Sequence, residues 1–443
     1  MFHYYLQLAL KSLRRNPILS SLMVLAIAIG IGACMTTLTV YSLMSADPIP
    51  QKSEQLFAVR LDSWDPNQPW DEPNEPPPEL TYRDAMALMR SDIPSHQAAM
   101  YKGAFALQPD DKSVPAYLVM GRISFADFFT LFDVPFQYGS GWDSSADKAL
   151  SQVVVLGKRA NDKLFGGENS VGKTVRLNDK AYKVIGVLDT WDPSPKFYDV
   201  NNGAFDDAED VYLPWGIAVP YQVRTAGNTN GWKPEDIDTY DSFLNSELVW
   251  IQFWAQLGGS DKESPAEQKA RYQTFIDSYV SEQKKLGRFQ RPLNNRLSDV
   301  NTFMAEREVV GEDNRVLVGL SFLFLTVCLI NMIGLLLAKF LGRAPELALR
   351  RALGASQWQV MQLNLVEVAL IGVLGGLLGL LFAWFGLIAV RALYGDGYGA
   401  LTSLNAGLAM QALIIAIAAS LLAGLYPAVR VGRLAPAGLL KAQ

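Results

Sequence analysis

The sequence predicts a membrane protein with four transmembrane α-helices and one large α+β domain between the first and second helix. Three observations lead to this prediction. Charges are almost absent from four long stretches, they are frequent between the first two of these stretches, and basic residues gather beside the stretch ends. Half of the 443 residues are hydrophobic and the formal net charge is −5, so the averages conceal this segregation.

The four apolar stretches are long enough to cross a bilayer. They cover residues 18–44, 316–338, 368–390 and 406–427. A helix over residues 316–338 would be about 35 Å long at ~1.5 Å per residue, more than the roughly 30 Å of a hydrocarbon core. The first stretch is too long for the apolar part of a signal peptide and lacks a small-residue cleavage site, so we expect an uncleaved anchor.

These stretches divide the chain. We predict an amphipathic helix at 1–16, span one at 17–46, the large domain at 47–311, span two at 312–340, a short helix at 341–358, span three at 359–393, a loop at 394–405, span four at 406–429 and a tail at 430–443. The first segment places its apolar residues on one face and its basic residues near its end, which is typical of a helix lying in the membrane interface. The alternative is a basic flank without defined structure.

The basic residues beside the spans predict the orientation. They are Lys11, Arg14 and Arg15 before span one; Lys339, Arg343, Arg350 and Arg351 between spans two and three; and Arg430, Arg433 and Lys441 after span four. Short loops rich in Lys and Arg stay in the cytoplasm. Both termini and the loop between spans two and three are therefore expected to be cytoplasmic, and residues 47–311 to lie outside.

The external region is predicted to be a mixed α+β domain, with two β-rich parts flanked by helices. Residues 249–257 alternate between Val, Ile, Phe, Ala and Leu on one face and Trp and Gln on the other, which predicts a strand. Ser264, Pro265 and Glu267 form a helix-start signature, and Gly287 is expected to end that helix.

Catalytic and metal-binding patterns are weak, so the chain is predicted to be non-catalytic with no cofactor or metal of its own. The two cysteines, Cys34 and Cys328, fall inside predicted spans, and the two histidines belong to no HExxH pattern. Acidic residues at 206–210 match no EF-hand spacing and are expected to form a solvated loop. The acidic composition and the lack of a Lys/Arg-rich block exclude a nucleic-acid partner.

Residues 167–174, GENSVGKT, match the phosphate-binding pattern G-x-x-x-x-G-K-[ST]. In such a loop the amides of the segment from Gly167 to Gly172 would cradle phosphates, and Lys173 and Thr174 would reach the terminal phosphate and its metal. That loop must follow a strand and open a helix, whereas here a predicted helix precedes it and a predicted strand follows. We therefore interpret the match as false, with the glycines at a helix-end turn.

The charged segment at 339–357 is predicted to contain a short helix. Pro345 suits the first helical position, Glu346 suits the first turn, and Gly354 suits the stop. Glu346 and Arg350 are spaced i,i+4, so they form a helix-stabilising pair. A helix this short is not stable alone in water and needs to be docked. The alternative is a basic loop that only sets the topology.

Four strings together resemble the FtsX/MacB-type permease subunits of ABC transporters. They are LKSLRRNPILSSL at 10–22, LSQVVVLGKRANDKLFGGENSVGKTVRLNDKAYKVIGVL at 150–188, GRAPELALRRALGASQWQV at 342–360 and YPAVRVGRLAPA at 426–437. The resemblance implies a bacterial inner-membrane protein whose external region is periplasmic. It further implies a membrane-proximal part at about 50–115 and 205–305, with an inserted β-rich part at about 116–204.

The resemblance also implies a coupling helix that docks on a cytoplasmic ABC ATPase. The matching residues are Arg343, Glu346, Leu347, Arg350, Arg351, Leu353 and Gly354. ATP and Mg²⁺ would bind on that partner, which is expected to be a separate chain because this one starts at the permease. A second permease, membrane lipids, and a periplasmic adaptor with an outer-membrane channel are the other partners that the resemblance suggests.

The function implied is transmission of ATP-driven motion to the periplasmic domain, for export of a substrate from the periplasm or outer leaflet. Two alternatives stay open at this point. One is extraction of lipoproteins or lipids from the membrane. The other is signalling to a periplasmic hydrolase without transport.

Overall fold

The computed structural model describes residues 2–71, 73–109, 115–258, 263–394 and 406–433. In these ranges the helices are α1 (Phe2–Arg15), α2 (Pro17–Met44), α3 (Tyr82–Leu88), α4 (Phe128–Leu131), α5 (Lys158–Phe165), α6 (Tyr240–Asn245), α7 (Pro265–Lys285), α8 (Val300–Glu306), α9 (Glu312–Gly342), α10 (Ala344–Ala352), α11 (Gln357–Tyr394) and α12 (Ala406–Gly432). The strands are β1 (Leu56–Arg60), β2 (His96–Gln108), β3 (Tyr117–Ser124), β4 (Phe136–Gly139), β5 (Val153–Leu156), β6 (Thr174–Leu177), β7 (Lys180–Leu188), β8 (Val211–Pro214), β9 (Gln252–Gln256) and β10 (Arg296–Asp299).

The chain folds as two units. The membrane unit combines Met1–Ser45 with Val310–Gln443, and the extramembrane domain is Ala46–Val309. In the membrane unit, α2, α9, α11 and α12 are long and apolar enough to cross a membrane. With the sheet-rich domain between α2 and α9, the predicted fold class is confirmed. The predicted loop at 394–405 and tail at 430–443 fall largely outside the described residues.

Glycines of α11 bring this helix close to α2 and α12. A Cβ built on Gly375 would lie 2.7 Å from Ile27 Cγ2 of α2, and one on Gly376 would lie 2.9 Å from Ala416 Cβ of α12. Lipid gives no hydrophobic drive for helix association, so close backbone approach through small residues supplies dispersion contacts instead. The small-residue spacing of α11 therefore serves helix packing on two sides.

The extramembrane domain is built on one ten-stranded sheet. Its strand order is β10–β1–β9–β2–β3–β8–β5–β7–β4, and β6 pairs with β2 and β7. The β3–β8 and β5–β7 pairs are parallel and the other pairs are antiparallel. Two apolar clusters cover its faces, one including α3, α6 and α7, the other including α4 and α8. Helix α7 starts with the predicted capping box at Ser264 and Glu267.

The sheet groups the strands of the two predicted parts. Strands β10, β1, β9 and β2 lie together on one side, and the strands of residues 116–204 lie mainly on the other. Strand β8 belongs by sequence to the predicted membrane-proximal part, yet it lies between β3 and β5. The division into two subdomains stays a prediction.

The alternation of residues 249–257 predicted strand β9 but did not predict that both of its faces are buried. Phe253 and Ala255 pack in one apolar cluster and Trp254 in the other, so the strand is buried on both faces. Trp250, predicted to share the face of Trp254, packs instead with Phe253 because the strand begins only at Gln252. Gln252 is buried and binds Glu79 and Arg122, so its polar group is satisfied inside the domain.

A buried ion cluster corrects the expectation of a solvated acidic loop at 206–210. The Glu209 carboxylate is fully buried and pairs with Arg122 and with Lys196, whose Nζ lies 2.7 Å from Glu209 Oε1. Asp199 is the second carboxylate on Arg122. Burial alone would raise the pKa of Glu209, but Arg122 and Lys196 hold it well below its usual range. Two cations and two anions balance in this cluster.

Glu79 is a further buried carboxylate next to this cluster. Its Oε1 accepts a hydrogen bond of 2.6 Å from Gln252 Nε2, while Oε2 has no hydrogen-bond partner among the described residues. Burial raises its pKa from 4.5 to about 8, and the Asp199 charge acts in the same direction. Glu79 is therefore protonated in the folded domain at neutral pH.

We expect the stability of the domain to fall as the pH rises from about 4.5 to about 8, since over this range the folded state holds a proton that the unfolded state releases. Glu79→Gln removes this dependence and keeps the acceptor for Gln252. Each pH unit contributes at most about 1.4 kcal/mol, so the variant should exceed the wild type by up to a few kcal/mol at pH 8–9 and match it near pH 5.

Thermal unfolding of the full chain in detergent, followed by tryptophan fluorescence between pH 5 and 9, measures this difference. The exposed Glu54→Gln is the matched control and should follow the wild type. Parallel pH profiles for the wild type and Glu79→Gln would show that Glu79 is ionised in the folded domain.

Candidate functional site

Helix α10 is the short helix that the sequence predicts between the second and third spanning helices. Pro345 and Glu346 lie in its first turn, and Arg350 and Arg351 in its last. Gly354 follows with φ +103°, its N–H donating to Arg351 O, and the next N–H, of Ala355, donates to Arg350 O. This pair of bonds is the Schellman stop, which the left-handed conformation of glycine permits.

The two faces of α10 differ in what they contact. Ala344, Leu347 and Ala348 are each 4 % exposed and pack inward. Leu349 is 53 % exposed and Leu353 81 %, and Trp358 at the start of α11 is 59 % exposed. We call Leu349, Leu353 and Trp358 the exposed ridge. Large apolar side chains at this exposure next to charged groups are typical of a protein-binding surface.

Ion pairs tie α10 to its neighbours. Glu346 accepts from Arg350 at 3.0 Å, which confirms the predicted i,i+4 pair, and from Arg15 of α1 at 3.1 Å. Arg351 donates to the carbonyl oxygen of Gly432 in α12 at 3.3 Å. Exposed pairs of this kind contribute little each, about 0–1 kcal/mol, so the inward-facing apolar residues are the main attachment.

A buried polar group lies beside the start of α10. Glu367 Oε1 of α11 lies 2.6 Å from Lys339 Nζ of α9, and Glu367 Oε2 lies 3.0 Å from Arg343 Nη1. The side chains of Lys339 and Glu367 are 0 % and 1 % exposed. Ser12 of α1 donates to Glu367 at 2.6 Å, and Ser20 of α2 accepts from Lys339 at 2.9 Å. We call these five residues the anchor cluster.

The structure gives the seven sequence-predicted residues different roles. Arg343 belongs to the anchor cluster, Leu347 is a core residue, and Glu346 forms surface ion pairs. The other four are Arg350, Arg351, Leu353 and Gly354, of which Leu353 lies on the exposed ridge. Their role in binding an ATPase stays a prediction.

Sequence reasoning missed several residues of this site. Leu349 and Trp358 lie on the exposed ridge, and the i,i+4 spacing of Leu349 and Leu353 was the available signal. Lys339 was used only as an orientation signal, and Glu367 was given no role. Opposite charges near the same end of two adjacent spans could have indicated their pairing.

The segment at 167–174 lies far from this site in sequence and has a different local structure from a phosphate-binding loop. It follows α5, and Thr174 begins strand β6 rather than a helix. Gly167 and Gly172 have φ of +82° and +89°, and Lys173 Nζ lies 4.6 Å above the Phe165 ring. Among the residues that the structure describes, no group of three or more His, Cys, Asp and Glu is placed to hold a metal ion.

Two family models match the chain and together cover most of it. Residues 20–268 match the MacB-like periplasmic core domain, and residues 318–436 match the FtsX-like permease C-terminal domain. The chain belongs to the FtsX/MacB-type ABC transporter permeases. The large domain of this permease is accordingly of the periplasmic type, and its four long helices fit an inner-membrane protein.

Curated relatives of this permease are longer proteins. They are named macrolide export ATP-binding/permease protein MacB. The protein of Wolinella succinogenes is 25 % identical over 307 residues, which are 68 % of this chain and 40 % of the relative. That of Neisseria gonorrhoeae is 26 % identical over 57 % of this chain and 33 % of the relative. That of Azoarcus sp. is 23 % identical over 87 % and 52 %. This chain thus spans about half or less of these relatives.

Solved structures similar to this permease include two extracytoplasmic regions. The periplasmic region of MacB from Actinobacillus actinomycetemcomitans covers 60 % of this chain and 97 % of its own, with a TM-score of 0.37 and 14 % identity. The extracellular domain of the ABC-type transporter YknZ from Gram-positive bacteria covers 47 % and 86 %, with a TM-score of 0.30 and 14 % identity.

Two leucines of α10, two positions apart, should respond differently to truncation. Leu347→Ala opens a cavity under the helix and removes buried contacts, at a cost of roughly 2–5 kcal/mol. We expect α10 to detach more often, so trypsin should cut at Arg350 and Arg351 about tenfold faster in the detergent-solubilised chain. Leu349→Ala is the matched control because its side chain is exposed. Equal cutting rates for the two variants would show that α10 is not held by its inward face.

Proposed function

We propose that this permease transmits ATP-driven motion of a separate cytoplasmic ABC ATPase to its periplasmic domain, for export of a substrate from the periplasm or outer leaflet. The observation that carries the proposal is α10, a nine-residue helix with a buried inner face and an exposed apolar outer ridge. A helix of this length is docked to its own spans on one side and offers the other to a partner.

The proposed orientation puts α10 and both termini in the cytoplasm and the domain at Ala46–Val309 in the periplasm. The basic residues Arg15, Arg343 and Arg350 lie at one end of the membrane unit, which supports this orientation by the positive-inside rule. ATP and Mg²⁺ would then bind on the partner ATPase beneath the exposed ridge. The relatives' names, which combine an ATP-binding part with a permease, support such a partner.

A second permease is the other partner that we propose, and α9 is the helix we expect it to cover. In the most apolar stretch of α9, 22 % of the residues are buried, against 50 % in α2 and 39 % in both α11 and α12. The side chain of Asn331 is exposed on α9 well inside the span. A polar amide facing lipid is costly, so such residues face protein partners in assembled membrane proteins.

The alternative of lipid or lipoprotein extraction has one observation in its favour. A cavity of about 320 Å³ lies at the end of the membrane unit opposite α10. It is lined by Thr36, Thr37, Val40, Met44, Asn314, Leu317 and Val390. Hydroxyl and amide groups beside apolar side chains suit an amphiphile in the outer leaflet. The relatives are named as macrolide exporters, which supports export in the general sense for both alternatives.

Asn331→Leu should weaken association between permease copies by about threefold to thirtyfold, because an interhelical amide hydrogen bond contributes roughly 0.6–2 kcal/mol in a membrane. Energy transfer between differently labelled copies in liposomes measures this association. Thr326→Val is the matched control, since Thr326 is also exposed on α9 but donates to Phe322 O of its own helix at 2.9 Å. Unchanged transfer for Asn331→Leu would place the second permease elsewhere.

The ridge variants Leu349→Ala and Leu353→Ala should each lower affinity for the partner ATPase about tenfold or more, since large apolar side chains at an interface centre dominate binding. The assay is capture of purified ABC ATPases from the source cell on the full chain in mild detergent, followed by titration. Leu377→Ala is the control, because Leu377 is 53 % exposed on α11 within the span.

Two results would contradict the proposal. The first is that no ABC ATPase binds the wild-type chain. The second is that an ATPase binds but the ridge variants and Leu377→Ala bind it equally. If an ATPase binds and its loss produces only a cell-wall defect without an export defect, the signalling alternative is favoured instead.

A further inference from the structure

The anchor cluster gathers polar side chains of α1, α2 and the end of α9 around one carboxylate of α11. Glu367 lies about 15 Å along α11 from its first residue, at ~1.5 Å per residue. Lys339 and Arg343, at the end of α9, both bind its oxygens, and Ser12 of α1 binds the same carboxylate. Lys339 also binds Ser20 of α2. All four helices meet at the point where α10 begins.

Burying charged groups only to pack these helices together would be unfavourable. Charges removed from water lose hydration, and their mutual attraction offsets this loss only when the geometry is good. Apolar residues of similar volume would pack without losing hydration. The close distances around Glu367 fulfil the geometric condition, with both carboxylate oxygens in bonds of 2.6–3.0 Å. A directional set of this kind fixes one arrangement of the helices, whereas apolar packing would tolerate several.

The charges continue from the cluster to the outer surface of α10. Arg343 Nε lies 3.7 Å from Glu346 Oε2, and Glu346 pairs with both Arg350 and Arg15. The side chains become steadily more exposed along this series, from 1 % for Glu367 and 13 % for Arg343 to 34 % for Glu346 and 70 % for Arg15. Alternating signs therefore connect the interior of α11 with the surface beside the exposed ridge.

We propose that Glu367 is a positioning residue for ATPase coupling, whose carboxylate, held by Lys339, Arg343 and Ser12, locks α1 and α10 into one rigid coupling unit. The inference rests on the proposed function and extends it. Helix α1 becomes part of the element that the ATPase moves, rather than only an interfacial anchor. Displacement of α10 then reaches α11 and α2 through the anchor cluster instead of being absorbed by a loose short helix.

The rigidity can be measured without any ATPase. Spin labels at Lys11→Cys and Ala352→Cys, both exposed positions, report the distance between α1 and α10 in the full chain in nanodiscs, with the native cysteines replaced by serine. The wild type should give one narrow distance distribution, and Glu367→Gln should broaden it at least twofold. Thr37→Val is the matched control, because it breaks another bond between spans, the 2.9 Å bond from Thr37 to Ser321, and should leave the distribution narrow.

A second variant separates positioning from folding. Glu367→Gln alone leaves Lys339 buried without its carboxylate, so we expect the chain to accumulate poorly. Combining it with Lys339→Met removes that lone charge and should restore accumulation to the wild-type level. The distribution should stay broad in the double variant, because Arg343 still lacks its carboxylate partner. A narrow distribution in either variant would overturn the inference.

Two measurements with the ATPase distinguish its binding to the chain from stimulation of its ATP turnover. With the ATPase identified by capture on the full chain, the double variant should bind it within threefold of the wild type, since the exposed ridge is unchanged. Stimulation of ATP turnover by the chain should fall about tenfold. Stimulation equal to the wild type, with a broad label distribution, would show that rigidity is not used for coupling and would also overturn the inference. Failure of every ATPase to bind the wild type would instead reject the proposed function, and the label distances would still decide whether the unit is rigid.

Discussion

The membrane unit depends on one constraint, the satisfaction of a buried carboxylate. Glu367 is 1 % exposed inside a helix bundle, and removing one partner of such a pair costs about 3–5 kcal/mol because a lone charge is left in a poor solvent. The lowest-energy arrangement therefore keeps Lys339, Arg343 and Ser12 on this carboxylate together. That requirement sets the end of α9, the place of α1 and the first turn of α10 at once. The buried face of α10 attaches this nine-residue helix to its neighbours, and the bonds to Glu367 fix where the helix begins.

The extramembrane domain meets the same constraint in two ways. Arg122 is fully buried and is balanced by Asp199 and Glu209, so the charges remain ionised and the pKa of Glu209 is held low. Glu79 accepts a hydrogen bond from the neutral Gln252 and has no ion-pair partner within bonding distance among the described residues, so burial keeps its proton in place. A buried carboxylate can therefore be ionised or protonated, and the number of nearby cations decides which of the two states it adopts.

The sequence predicted features whose signal is local, and it failed where partners are distant in the chain. The four spans, the capping of α7 and the Glu346–Arg350 pair each follow from residues a few positions apart. Lys339 pairs with a residue in the next span and Ser12 lies 355 positions from Glu367, so no spacing rule could connect them. The burial of Leu347 and exposure of Leu349 could be predicted only after knowing which face of α10 meets α9 and α11. The expectation of a solvated loop at 206–210 was wrong for Glu209 for the same reason, since Glu209 pairs with Arg122 of β3.

Helix α9 shows why charges rather than close packing secure the coupling end. Helix α11 packs through glycines against α2 and α12, and these contacts are dense and apolar. In its most apolar stretch, α9 has the smallest share of buried residues of the four long helices, although Gly30 of α2 lies close to its Leu325. It is nevertheless the helix that leads directly into α10. The bond between Lys339 and Glu367 therefore secures the end of α9 beside α11, while less of the rest of the span is buried than in the other three long helices.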